Sequence, residues 1–211
     1  MNVISHRGGK GLAPENSLES IIIADTLAPA MIEFDVQFTK DNIPILFHNK
    51  QSKGGSLISK ISYDNLLLEH NDLCKLEETL KNIKNSQALV ELKQPGSAQK
   101  INSYLSNKDT VTSFLKTEII YLKKHKTNQL FLMQRLHPFG LFHEAKKNSI
   151  NGIGINKNWL LILPFYYYLC QKNNMLLYTY TLNNANLARL LNWIMPRIYI
   201  CTDHPDKLLR Q

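Results

Sequence analysis

The chain has 211 residues, is 44% hydrophobic and carries a formal charge of +8, a size and apolar content that suit one compact α/β domain spanning 1–211 rather than two. Its lysines are scattered without a dense basic tract, which reads as a solvated basic surface and argues against a nucleic-acid partner. Cys74, Cys170 and Cys201 are odd in number with no CxxC spacing, so they exclude a thiolate metal site and read as reduced packing residues of a cytoplasmic protein.

In chain order, Val3 and Ile4 open a short strand that runs into His6, Arg7, Gly8 and Gly9, where glycines let the backbone approach a ligand. Asn16 followed by Glu19 reads as a helix N-cap with its capping-box partner, ahead of apolar helical positions from Leu18 to Leu27. The stretch 31–49 then dominates the reading. Glu33 and Asp35 stand two apart in a strand-like run, so both carboxylates project to one face while Phe34 and Val36 take the other. Two anions forced together want a cation. A turn over 39–44 returns the chain as a second strand, 44–47, and pairing Thr39 with Pro44 sets Asp35 opposite His48.

Downstream, strand-like runs at 88–92, 110–114, 129–133, 152–155, 176–182 and 198–201 alternate with helical patterns at 76–84, 115–125, 139–147 and 184–193. With the strands at Val3 and Met31 these make eight, the alternation of a (β/α)8 TIM barrel with the 44–47 arm as a small hairpin insertion above its mouth. The apolar run 159–170 is too short to span a membrane and contains Pro164, so it reads as an outer helix and its approach loop. His6 stands too near the start to leave room for a signal peptide. Strand ends of a parallel barrel converge on one face, which brings Glu91 and Lys93 to Glu33 and Asp35. Glu33, Asp35 and Glu91 form an all-oxygen set suited to one hard divalent cation, Mg²⁺ or Ca²⁺, with Mn²⁺ as a further option.

Four pieces in order, HRGG at 6–9, APENS at 13–17, IEFDVQFTKD at 32–41 and FH at 47–48, resemble the signature of the glycerophosphodiester phosphodiesterase family. The resemblance extends over nearly the whole chain, through LEE at 76–78, VELK at 90–93, TSF at 112–114, YTLN at 180–183 and CTD at 201–203. It implies metal-dependent hydrolysis of glycerophosphodiesters, deacylated phospholipids, to glycerol 3-phosphate and an alcohol, in lipid and glycerol metabolism. By that similarity His6 and His48 are the general acid and base, in either order, and a substrate glycerol hydroxyl attacks phosphorus through a cyclic phosphate before water completes hydrolysis. A phosphodiester carries negative charge that repels nucleophiles, so Arg7 and Lys93 are expected on its phosphate oxygens. Glu15 and Tyr180 are expected in the substrate pocket. The other histidines, His70, His125, His137, His143 and His204, stand apart from the motifs.

The sequence departs from the pattern of the family it resembles in two places. Asn49 stands where an aspartate follows the second histidine, which removes a charge beside His48, and Tyr180 replaces a tryptophan. The segment 50–62 is also short, so the lid over the substrate is reduced. Two other readings therefore accompany the small-molecule hydrolase. One is a lysophospholipase D acting on single-chain lipids, with Trp159, Phe165 and Tyr166 lining an acyl channel; the other is a phosphodiester-binding protein with reduced or lost turnover. The head group and the oligomeric state are left open.

Overall fold

A computed structural model describes residues 1–125, 129–133 and 138–209. The described chain runs β1 (Asn2–Ser5), α1 (Leu18–Thr26), β2 (Met31–Phe38), β3 (Pro44–Leu46), α2 (Tyr63–Glu69), α3 (Leu76–Asn82), β4 (Gln87–Leu92), α4 (Ser97–Ile101) and β5 (Thr110–Ser113). It continues through α5 (Lys116–His125), β6 (Gln129–Met133), α6 (Leu141–Lys147), β7 (Gly152–Asn156), α7 (Leu163–Lys172), β8 (Leu176–Tyr180), α8 (Ala185–Ile194), β9 (Tyr199–Thr202) and α9 (Asp206–Leu209). The strands pair in the order β1-β9-β8-β7-β6-β5-β4-β2, all parallel, and β1 pairs with β2 to close the ring. This is the (β/α)8 barrel, with β3 added antiparallel to β2 as the hairpin insertion. His137 lies outside the described residues.

Strand alternation divides the core in two. On β2, Ile32, Phe34, Val36 and Phe38 point outward into the layer under the helices, together with Val90 and Leu92 of β4. Each such side chain contributes roughly 1.5–3 kcal/mol when fully buried. Met31, Leu89, Phe131, Tyr178 and Cys201 point inward and fill the barrel's base. Above that apolar plug the same inward rows become polar, with Glu33, Asp35 and Glu91 all buried. Glycine at two places makes the plug possible. A Cβ on Gly152 would meet the Phe131 ring at 2.4 Å and one on Gly154 the Tyr178 ring at 2.4 Å, so β7 offers bare backbone where its neighbours need volume.

Two local expectations are corrected. The hairpin register is shifted by one residue: Phe38 faces Pro44, and the Phe47 N–H donates to the Asp35 carbonyl at 2.9 Å. Thr39 closes the turn on Ile43, whose N–H donates to the Thr39 hydroxyl oxygen at 3.1 Å, a bond that proline cannot offer. His48 is therefore carried past the end of β3 on a loop rather than held in a strand pair. The N-cap of α1 is Ser17, whose hydroxyl oxygen accepts from the Ser20 N–H at 3.1 Å. Asn16, in the left-handed region at φ 57°, is spent elsewhere.

The run 159–170 forms a 3-10 turn (Lys157–Ile162) and α7, with Pro164 in the first helical turn, where a missing N–H costs nothing. Among the described residues no helix is long and apolar enough to cross a membrane. The three cysteines are free and buried.

Candidate active site

After β1 the backbone turns sharply over His6–Gly8, with Arg7 at φ 50°, Gly8 at 77° and Gly9 at 106°. A left-handed arginine stores strain on the order of 1–3 kcal/mol, and here that conformation aims the Arg7 N–H at Glu33 Oε2, 2.8 Å away. The Arg7 guanidinium is clamped by Glu15, to which Nη1 donates at 2.9 and 3.1 Å, and its Nε stands 3.5 Å from Asp35 Oδ2. Lys10 reaches Glu15 as well, at 2.7 Å. Glu15 thus braces Arg7 from behind.

Carboxylate oxygens of Glu33, Asp35 and Glu91 all lie within 4.8 Å of one another. Two ionised carboxylates at that distance repel by roughly 3 kcal/mol at an effective dielectric of about 20. The environment sorts the three accordingly. Burial raises Asp35, but the Lys93 ammonium at 3.0 Å, His48, the Asn16 amide donating at 3.0 Å and Arg7 together hold it below its ordinary value. Asn16 also accepts the Asp35 N–H at 3.0 Å, which fixes that residue at both ends. Glu91 is pushed up to about 7, by burial first and by Asp35 next, although Lys93 stands 2.8 Å away. Glu33 is raised well above the carboxylate range by burial and its two acidic neighbours. Its Oε1 is buried with no hydrogen-bond partner. A crowded oxygen set with one orphaned ligand atom fits a hard divalent cation.

The histidines are braced differently. The His6 Nδ1–H donates to Asp203 Oδ1 at 2.6 Å, and the Asn183 amide donates to Asp203 Oδ2 at 2.6 Å. Burial raises Asp203, yet these two hydrogen bonds hold it at about 2. His48 instead has the amide oxygen of Asn49 3.2 Å from Nδ1, so Nδ1 is the donor and Nε2 is left free. Burial lowers the His48 pKa, Lys93 and Arg7 lower it further, and Asp35 and Asn49 only partly oppose them.

A cavity of about 170 Å³ joins these groups, lined by His6, Arg7, Glu33, His48, Glu91 and Lys93, with Tyr178 and Tyr180 among its walls. Beside it runs a larger groove of about 750 Å³, sharing Lys93, Phe114 and Met133 and continuing past Leu57, Pro95 and Leu115. Tyr180 lines the smaller of the two spaces. Glu15, Trp159, Phe165 and Tyr166 line neither space; Tyr166 is buried and its hydroxyl donates to the Pro138 carbonyl at 2.8 Å. Asp203 and Asn16 take part without having been singled out. The threonine–aspartate pair at 202–203 is the sequence signal for the first, and the second has the residue type of a helix cap.

The family model for the glycerophosphoryl diester phosphodiesterases matches residues 6–149. YhdW of Bacillus subtilis is 25% identical over 248 residues, taking in 100% of this chain and 97% of that protein. Glycerophosphodiester phosphodiesterase 1 of Bos taurus is 29% identical over 171 residues, 68% of this chain and 51% of the bovine one. An Oleispira antarctica phosphodiesterase, solved in complex with the product sn-glycerol-3-phosphate, has the same fold, with a TM-score of 0.84 at 20% identity over 99% of this chain and 95% of that one. The family match takes in His6, Arg7, the three clustered carboxylates, His48 and Lys93, all of which the barrel brings to one mouth, and the chain belongs to the glycerophosphoryl diester phosphodiesterase family, whose members are phosphoric diester hydrolases.

Proposed function

We propose that this phosphodiesterase hydrolyses glycerophosphodiesters to glycerol 3-phosphate and an alcohol, with Glu33, Asp35 and Glu91 holding one divalent cation, Mg²⁺ or Ca²⁺. The convergence of two histidines, two cations and a carboxylate triad on one small cavity carries this reading. The cation, when bound, supplies Lewis-acid neutralisation of the phosphate charge. Arg7, held by Glu15, presents its guanidinium to the phosphate, and Lys93 adds a point charge. His48, whose burial favours the neutral ring, takes the proton from the attacking hydroxyl through Nε2. His6, with Asp203 behind it, gives a proton to the departing alkoxide. The two exchange roles when water opens the cyclic phosphate, so protons balance over the cycle.

The experiment is calorimetric titration with Mg²⁺ and Ca²⁺ together with turnover of glycerophosphocholine. Glu33→Gln and Asp35→Asn should each weaken cation binding severely. Full activity in excess chelator, or unchanged affinity in both variants, would overturn the metal site.

A second reading, cleavage of single-chain lysophospholipids, is favoured by the apolar groove past Leu57, Pro95 and Leu115 that opens from the catalytic cavity. A panel of glycerophosphodiesters and lysolipids separates the two. The third reading, binding without turnover, falls if any member of that panel is hydrolysed.

A further inference from the structure

Between Glu144 and Asp203 the sequence contains no aspartate or glutamate, yet it holds Lys146, Lys147, Lys157, Lys172, Arg189 and Arg197. Six of the net eight positive charges therefore arise in this one segment. It is continuous in space as well as in sequence. Strands β7, β8 and β9 are neighbours in the barrel, and the helices outside them meet where Arg197 donates from its N–H to the Tyr167 hydroxyl at 3.4 Å and from its guanidinium to Gln171 at 3.2 Å.

The outer face of those helices is apolar where a barrel helix ordinarily turns polar groups to water. On α7, Phe165 and Tyr168 are exposed three residues apart, and the Lys172 ammonium sits 4.6 Å from the centre of the Tyr168 ring. On α8, Leu190, Trp193 and Ile194 are exposed between Arg189 and Arg197. Leu161 is 97% exposed, Trp193 80% and Phe165 61%. Leu161 and Phe165 occupy the end nearest the mouth, because their turn follows the C-terminal end of β7. The adjoining α9 adds Asp206 and Lys207, which cancel.

Three occupants fit such a face unequally. A second copy of the chain would set the cations of this face, Lys157, Lys172, Arg189 and Arg197, against their own counterparts, with no carboxylate between Glu144 and Asp203 to meet them. A nucleic acid would use the cations but has no place for Leu161, Trp193 and Ile194. An anionic bilayer uses both, taking the basic side chains at its headgroups and the aromatic and aliphatic ones at the acyl boundary. We propose that the outer face of α7 and α8, with the turn at Leu161, docks on an anionic phospholipid surface. Docking there lays the side of the barrel along the lipid, with Leu161 and Phe165 at the mouth end of the docked face.

The test uses the full chain with vesicles of phosphatidylcholine alone and of phosphatidylcholine mixed with phosphatidylglycerol, sedimented and assayed for bound protein. The protein should pellet with the anionic vesicles, release as salt rises, and bind about fivefold more weakly for each of Lys172 and Arg189 neutralised to Gln. The double change Phe165→Ser and Trp193→Ser should weaken binding at least as much. Turnover of soluble glycerophosphocholine by these variants should be unaltered, which shows that they are folded. Absence from both pellets, equal binding to neutral vesicles, or full binding by the variants would overturn the proposal. So would a dimer in sedimentation equilibrium that the Phe165 and Trp193 changes dissociate, which would assign the face to a second copy.

Discussion

His6 and His48 open onto the same cavity, each with Nδ1 engaged, yet the groups behind them differ. Behind His6 stands a carboxylate 2.6 Å away, itself fixed by Asn183; behind His48 stands the neutral amide of Asn49 at 3.2 Å. The half-buried His48 ring, beside Lys93 and Arg7, is pushed toward the neutral form. The partner behind each ring is what differs between them, and the proposed division into acid and base rests on that difference.

Removing the rings breaks the comparison most severely. His6→Ala and His48→Ala should each lower kcat on glycerophosphocholine roughly a thousandfold with little change in KM. They should part company on a glycerophosphodiester of p-nitrophenol, whose leaving group needs no proton. His6→Ala should recover most of its rate there and His48→Ala should not. Equal recovery by both would erase the assignment of acid and base.

Much of this arrangement can be read from the chain, because local periods and the barrel rule act together. Glu33 and Asp35, then Glu91 and Lys93, alternate in strands whose C-terminal ends must converge, so their meeting needs no tertiary information. The support of His6 is another matter. Asp203 lies 197 residues away and reaches His6 only because the barrel closes β9 onto β1. Asn16 and Ser17 are equally good caps by type, and what decides between them is the unmet donors and acceptors of the buried Asp35. The turn at Thr39 fails by one residue because counting along two arms ignores which residue has an N–H to give. The aromatic run at 159–170 shows its length but not which of its rings face water, so Trp159, Phe165 and Tyr166, expected in an acyl channel only under the lysolipid reading, line neither space at the mouth.

The next effect in size comes from the brace itself. Asp203→Asn leaves the shape but replaces the acceptor behind His6 with an amide that can turn its donor toward Nδ1, selecting the wrong tautomer. We expect kcat to fall about a hundredfold with KM nearly constant, because Asp203 orients a proton donor and does not line the cavity. Asp203→Glu should recover part of the loss. A fall in KM-dependent binding instead would move Asp203 from positioning to substrate contact.

Asn49→Asp sharpens the contrast from the other side. The new carboxylate beside Nδ1 favours the imidazolium, so the His48 pKa, now depressed, should rise. A base works only when unprotonated. The acidic limb of the kcat profile should therefore move to higher pH, while the maximum changes little. An unmoved limb would mean that Asp35 already dominates the field at His48.

The smallest effect is on stability, and it belongs to His6's side alone. Asp203 titrates at about 2 in the folded chain against an ordinary 3.8. A depressed carboxylate stabilises the fold fully above its unfolded value, and that contribution disappears as pH falls through the interval between the two. Asp203 is partly open to water, so screening keeps the contribution small. Thermal melts of the wild type and Asp203→Asn should differ by a constant interval from about neutral pH down to about pH 5, and the interval should close on approach to about pH 2. A gap between wild type and Asp203→Asn that stayed constant to the lowest pH would show that the His6–Asp203 contact holds its geometry through packing rather than through charge.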